Sequence, residues 1–229
     1  MQESIFREND IRGQYPNELN ESIIKEIAKG IAKKCFQEGV TKIAVGRDGR
    51  LSGESLLSNF CEAISVYGID VNNIGLATSP MLYFAAKKEE SKSGIMITGS
   101  HNPKNYNGIK MVINNNSVSG SEILSLLKNN EIHLNTSTKG EISFTNIKEN
   151  YINEVIENIQ YDISKLKVVV DSGNGAAGYV APELFKKLGC DVIESFSEVD
   201  GNFPNHHPDP GKIENLKDII LAVKENSAD

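Results

Sequence analysis

The chain has 229 residues, 24 Lys+Arg against 31 Asp+Glu for a formal charge of −7, 39% hydrophobic residues, three Cys and no Trp. That is length for one large or two small globular domains, and the acidic balance argues against a surface built for nucleic acid or anionic lipid, since such surfaces carry clustered Lys and Arg. Cys35, Cys61 and Cys190 are far apart in apolar stretches, so neither a disulfide framework nor a thiolate metal site is expected, and the setting reads as a reducing, cytoplasmic one. Met1 to Gly13 mixes charges without an apolar run, and no stretch approaches the roughly 18 apolar residues of a membrane span, so neither an export signal nor a membrane anchor is expected.

From Asn20 to Gly39 the apolar positions Ile23, Ile24, Ile27, Ile31 and Cys35 fall at helical spacing, with Asn20 as N-cap and Gly39 as stop. Lys42 to Gly46 reads as a strand, Ser52 to Tyr67 as a helix and Ile69 to Ile74 as a strand. A helix follows Pro80, then a strand at Gly94 to Thr98, an extended segment at Gly108 to Asn114 and a helix from Ser121 to Asn130. The polar stretch His133 to Gly140 lacks apolar periodicity and marks a domain edge, which puts a boundary between 135 and 150, with domains at 1–145 and 146–229. Beyond it a helix from Ile147 to Gln160, a strand from Leu166 to Val170, a helix from Ala176 to Leu188, a strand from Cys190 to Phe196 and a last helix from Ile213 to Glu225 are expected. Strands alternating with helices of this length indicate tandem three-layer α/β/α domains with mostly parallel, mixed sheets. The last helix has no following strand, so the second domain reads as incomplete.

Two loops could carry chemistry. Gly173-Asn-Gly175-Ala-Ala-Gly178 follows a strand and precedes Glu194 by a suitable interval, which fits a dinucleotide fingerprint and a nicotinamide-dependent oxidoreductase. Asp171 opposes that reading, because its carboxylate would repel a diphosphate; a tight structural turn fits as well. The second loop, Thr98-Gly-Ser100-His-Asn-Pro103, lies at the carboxyl end of a strand, where open α/β sheets place ligands. Gly99 leaves Ser100 uncrowded, and an Asn107-Gly108 turn would send the chain back so that the Lys110 ammonium meets the Ser100 hydroxyl and the His101 imidazole. By composition alone this is also an ordinary turn. Arg12, in a Gly-terminated turn Asn9 to Gly13, offers a fork suited to phosphate, or a surface arginine paired with Asp10. His206, His207 and Asp209 suggest a metal, but adjacent residues of an extended segment point apart.

Phe6 to Gly13, Gly46-Arg-Asp-Gly-Arg50, Ala77-Thr-Ser-Pro80, Gly94 to Lys110, Asp171 to Ala176 and Asp200 to Pro210 occur in the order found in the α-D-phosphohexomutases, and the chain resembles that family throughout its length. Asn205-His-His-Pro-Asp-Pro210 looks closer to the bacterial phosphomannomutase/phosphoglucomutase branch than to the phosphoglucosamine mutases.

The resemblance implies a reversible phosphoryl transfer between the C1 and C6 oxygens of a phosphohexose, through a phosphoserine at Ser100 and a hexose 1,6-bisphosphate. It makes the glycine fingerprint a structural turn. His101 and Lys110 become candidates for proton transfer, Arg12 an acid/base or electrostatic group, and Arg12, Asn9 and Asn102 substrate contacts. Ser100 becomes a magnesium ligand, and glucose 1,6-bisphosphate the activator. The partner would be a phosphohexose, with no nucleic acid and no membrane. Asn9 stands where the family commonly has Tyr, and Gly99 where Ala is common, which would loosen the loop. The family's Asp-Gly-Asp-Gly-Asp magnesium loop is absent and is expected beyond Asp229, so these residues alone would be nearly inactive. A non-catalytic sugar-phosphate-binding module remains the other alternative.

Overall fold

Alternating runs of β-branched residues and amphipathic helices fold into two compact units in the computed structural model, which describes residues 1–134 and 138–229. The first comprises Met1–Ser100 with Asn105–Asn146, the second Ile147–Asp229 with His101–Lys104. In chain order the first unit contains β1 (Ile11–Gln14), α1 (Glu21–Gln37), β2 (Lys42–Arg47), α2 (Gly53–Ser65), β3 (Asp70–Leu76), α3 (Ser79–Lys88), β4 (Gly94–Ile97), β5 (Tyr106–Ile113), β6 (Asn116–Ser117), α4 (Gly120–Lys128) and β7 (Ile142–Phe144).

Its strands form one mixed sheet in the order β1-β5-β4-β2-β3-β7, with β6 on β5. β4, β2, β3 and β7 run parallel, while β5 is antiparallel to both β4 and β1. One face packs Ile43, Val45, Ile95, Ile97, Ile109 and Met111 against α1, α2 and α4. Alternation turns Gly94 and Met96 to the other face, where a Cβ on Gly94 would lie 3.0 Å from Ala86 of α3. The missing side chain lets α3 approach the sheet closely. From β2 the chain moves to β3 on one side and then returns to β4 on the other, with α2 and α3 on opposite faces. The carboxyl ends of β2 and β4 therefore flank the point where strand order reverses, the crevice of an open α/β sheet.

Several local expectations hold for identifiable reasons. Asn20 caps α1 by accepting from the backbone N–H of Ser22 and Ile23, both at 3.1 Å, and Gly39 ends it at φ +68°. Other expectations need correction. Arg12 lies in strand β1, not in a turn, and Asn107-Gly108 lies inside β5, with the reversal at Lys104-Asn105. At Gly108 three backbones crowd: a Cβ there would sit 2.3 Å from the Ile11 carbonyl and 3.1 Å from that of Thr98, so this glycine serves strand packing. β7, a strand that was not expected, follows the polar stretch and pairs with β3 through Val71, Asn72 and Asn73. The expected polar edge at His133–Gly140 includes residues 135–137, which lie outside the described residues.

The second unit holds α5 (Lys148–Asn158), β8 (Lys167–Asp171), α6 (Ala181–Lys187), β9 (Asp191–Ser195) and α7 (Lys217–Asn226). β8 and β9 pair in parallel, and Asp229 donates its N–H to the Lys167 carbonyl of β8 at 2.9 Å. The single helix expected over Ala176–Leu188 is instead a 3₁₀ turn, Ala176–Tyr179, followed by α6, with non-helical backbone at Val180 between them. Pro182 supplies no N–H to carry an uninterrupted helix through that point. Among the described residues no helix is long and apolar enough to cross a membrane.

Candidate active site

The carboxyl ends of β2 and β4 are joined by charge. Asp48, just after β2, accepts the Thr98 hydroxyl at 2.7 Å and the Gly99 N–H at 3.2 Å through Oδ2, and the Arg50 N–H at 3.0 Å through Oδ1. The Arg50 side chain is fully buried. Its Nε meets Asp48 Oδ2 at 3.2 Å, Nη1 donates to the Tyr106 carbonyl and Nη2 to the Ser100 carbonyl, both at 2.9 Å. Burial pushes the guanidinium pKa down and the nearby charge of Arg12 presses the same way, while Asp48 opposes both. An arginine keeps its charge under such pressure, so the pair remains ionic.

Ser100 is half-buried at φ +54°, the left-handed region that costs a non-glycine residue on the order of 1–3 kcal/mol. Its N–H donates to Thr98 Oγ1 at 2.9 Å and its carbonyl accepts from Arg50, bonds that help to hold it there. Gly99 is closely packed. A Cβ on it would stand 2.4 Å from Cζ and Nε of Arg50 and 2.8 Å from the Tyr106 carbonyl, so the guanidinium occupies the space an alanine would need.

The register brings two expected cations to this end of the sheet. Arg12 of β1 lies opposite Gly108 of β5, and the Thr98 N–H donates to the Gly108 carbonyl at 2.9 Å. Arg12 therefore shares a row with Thr98. Lys110, two residues along β5 and opposite Met96 of β4, points to the same face. Arg12 Nη2 is paired with Asp10 Oδ2 at 2.6 Å, with the Asp10 side chain 8% exposed. Asn9 is exposed in the turn before β1. His101, exposed, and Asn102, half-buried, follow Ser100 and belong to the second unit.

Asp48 and Arg50 received no role from the sequence, although their motif stands out in it. The signal that could have found them is the pairing of two opposite charges across a single glycine, directly after a buried strand. The glycine fingerprint is structural: a Cβ on Gly178 would lie 2.0 Å from the Ser197 carbonyl, and Glu194 is paired with Lys186. Asp171 accepts from the Gly173 N–H at 2.9 Å and faces His206 Nε2 at 3.1 Å, while His206 Nδ1 faces the His207 carbonyl at 3.0 Å. Both ring nitrogens of His206 are thus engaged by oxygens. Among the described residues no cluster of three or more His, Cys, Asp or Glu could hold a metal. Burial raises the thiols of Cys35 and Cys61 to about 12, which keeps them protonated.

Residues 3–133 match the family model for phosphoglucomutase/phosphomannomutase α/β/α domain I, and residues 149–229 that for domain II. The chain belongs to the phosphoglucomutase/phosphomannomutase family. It is 46% identical over 227 residues to a phosphomannomutase/phosphoglucomutase of Pseudomonas syringae pv. tomato, covering 99% of this chain and 49% of that protein. It is 41% identical to a phosphoglucomutase of Neisseria gonorrhoeae, over 98% of this chain and 49% of that one. Among solved structures, a phosphoglucomutase/phosphomannomutase family protein from Burkholderia thailandensis superimposes with a TM-score of 0.93 at 35% identity, covering 100% of this chain and 52% of that chain. The chain thus spans about half the length of the curated family members it matches.

Proposed function

We propose that this chain carries the phosphoryl-transfer serine of a hexose-phosphate mutase, acting on glucose or mannose phosphates as the names of its relatives suggest. The observation that carries the reading is Ser100, held in a strained turn at the strand-order reversal, with Arg12 and Lys110 on one face of the adjoining strands. In the forward half-reaction the C6 hydroxyl of a hexose 1-phosphate attacks the phosphorus of phospho-Ser100. The P–Oγ bond breaks as the new P–O bond forms, the hydroxyl proton passes to a base, and Ser100 Oγ takes up a proton. The hexose 1,6-bisphosphate then returns its C1 phosphoryl group to Ser100 and leaves hexose 6-phosphate.

Lys110 is our first candidate for the proton transfers. Arg12 supplies fixed positive charge against the phosphoryl oxygens, where catalysis is chiefly positioning and electrostatics. His101, Asn102 and Asn9 are read as further contacts to the sugar or its phosphate. Residues 1–145 are read as the domain bearing the serine and 146–229 as part of the second domain. A magnesium ion would take the oxygen on Ser100; among the described residues no cluster of three or more His, Cys, Asp or Glu fits one, so no step is derived through it. The 229 residues alone are accordingly expected to turn over poorly or not at all.

The test is transfer from ³²P-labelled glucose 1,6-bisphosphate to the whole native protein, followed by peptide mass spectrometry. Phosphate on Ser100, lost in Ser100→Ala, is the expected result. Saturable hexose-phosphate binding with no phosphoserine would overturn the reading in favour of a binding module.

A further inference from the structure

We infer that Asp48 and Arg50 are positioning residues for phosphoryl transfer: a buried ionic brace that fixes the Ser100 backbone. The inference rests on the reading of Ser100 as the phosphoryl carrier.

The brace clamps both ends of the loop. One guanidinium binds the carbonyl of Ser100 as the chain leaves β4 and that of Tyr106 as it enters β5. One carboxylate oxygen binds Thr98 Oγ1 and the Gly99 N–H, and the same Thr98 oxygen accepts from Ser100 N. Polar atoms before, at and after Ser100 thus all refer back to a single ion pair at the end of β2. The flat fork of arginine makes these contacts together, which a lysine ammonium cannot. Neither residue needs to touch substrate. Their effect passes through the position of Ser100, and a misplacement of about 1 Å at a reacting group can cost about 100-fold in rate.

The two ends of the ion pair make the inference testable beyond simple loss. Asp48→Asn, which keeps the shape of the carboxylate, and Arg50→Lys damage the same ion pair from its two ends. In the whole native protein each variant is expected to lower kcat by about 10- to 100-fold while KM for hexose phosphate stays within about two-fold, because the brace makes no contact with the sugar in this reading. The double variant is expected to be little worse than the poorer single, since coupled residues do not add. Amide exchange in the peptide spanning residues 98–106 is expected to quicken in all three, with α1 and β3 unchanged.

Wild-type kcat in folded Arg50→Lys, or a double variant whose losses multiply, would overturn the inference. Should one variant fail to fold, the other decides on the same readouts. If the wild-type protein never phosphorylates Ser100, it is the functional reading that fails. In that case unchanged exchange at residues 98–106 in Arg50→Lys would refute the brace itself.

Discussion

Both units end a parallel strand in an aspartate followed by a glycine-containing turn, and the two turns meet different fates. After β2, Asp48 is matched by Arg50, a cation that cannot discharge, and the pair is spent on holding a second loop, the one with Ser100. After β8, Asp171 faces His206, which is charged only when protonated, and the pair closes the turn onto the 200–211 loop beside a cleft of about 270 Å³. A glycine-rich turn at the carboxyl end of a strand is therefore no site in itself. What distinguishes the two is the chemistry beneath: a permanent ion pair makes a rigid platform for a neighbouring loop, whereas an imidazole makes a latch that depends on pH.

The sharpest way to break this comparison is through catalysis. If Lys110 moves the proton, Lys110→Met should lower turnover of the whole protein by about 10²- to 10⁴-fold and leave the unfolding transition in place. No substitution of His206 should approach that loss. Turnover unchanged in Lys110→Met would remove the lysine from the reaction and return attention to His101.

Stability separates the two aspartates next. Asp48→Ala strands a fully buried guanidinium, and breaking a buried pair from one side costs about 3–5 kcal/mol. Asp171→Ala leaves an imidazole that can lose its proton, so the cost should fall towards that of one missing buried hydrogen bond, about 1–3 kcal/mol. Urea-dependent amide exchange of β2 and of β8 reads each unit by its own strand. Equal losses would mean that the permanence of the charge is irrelevant.

How much of this was legible in the sequence varies with the kind of interaction. Helical spacing and caps act over a few residues, so α1 with Asn20 and Gly39 could be read directly, as could the strand before the Ser100 loop. β1 could not: four residues with an arginine among them become a strand only because β5 is there to pair with. Gly108 looked like a turn because glycine near asparagine usually is one, while its reason is the crowding of three backbones. Arg50 was opaque for a related cause. A charged side chain argues for the surface, and only the tertiary structure supplies the carboxylate and two carbonyls that let it be buried. The same guanidinium packs closely on Gly99, a contact that the order of residues does not show. The serine, lysine and arginine of the candidate site were readable as reactive types; the pair that holds the serine was not.

The smallest expected effect tests the latch. Burial pulls the His206 pKa down, but the His207 carbonyl and the Asp171 carboxylate, with the more distant charge of Asp218, outweigh it and leave the pKa raised above 6.5. A group whose folded pKa is raised contributes stability that is complete below its unfolded value and disappears as pH climbs through the folded one. The second unit should therefore be more stable near pH 6 than near pH 8.5 by a term that His206→Gln abolishes, read as the pH dependence of exchange in β8. Glu183, held down at about 2 by Lys148 and Lys187, loses its contribution only in much stronger acid, so it does not contaminate this window. The first unit provides the control: Arg50 does not titrate, and exchange in β2 should show no matching step. A step of equal size in both units, or one that survives His206→Gln, would show that the latch lies elsewhere.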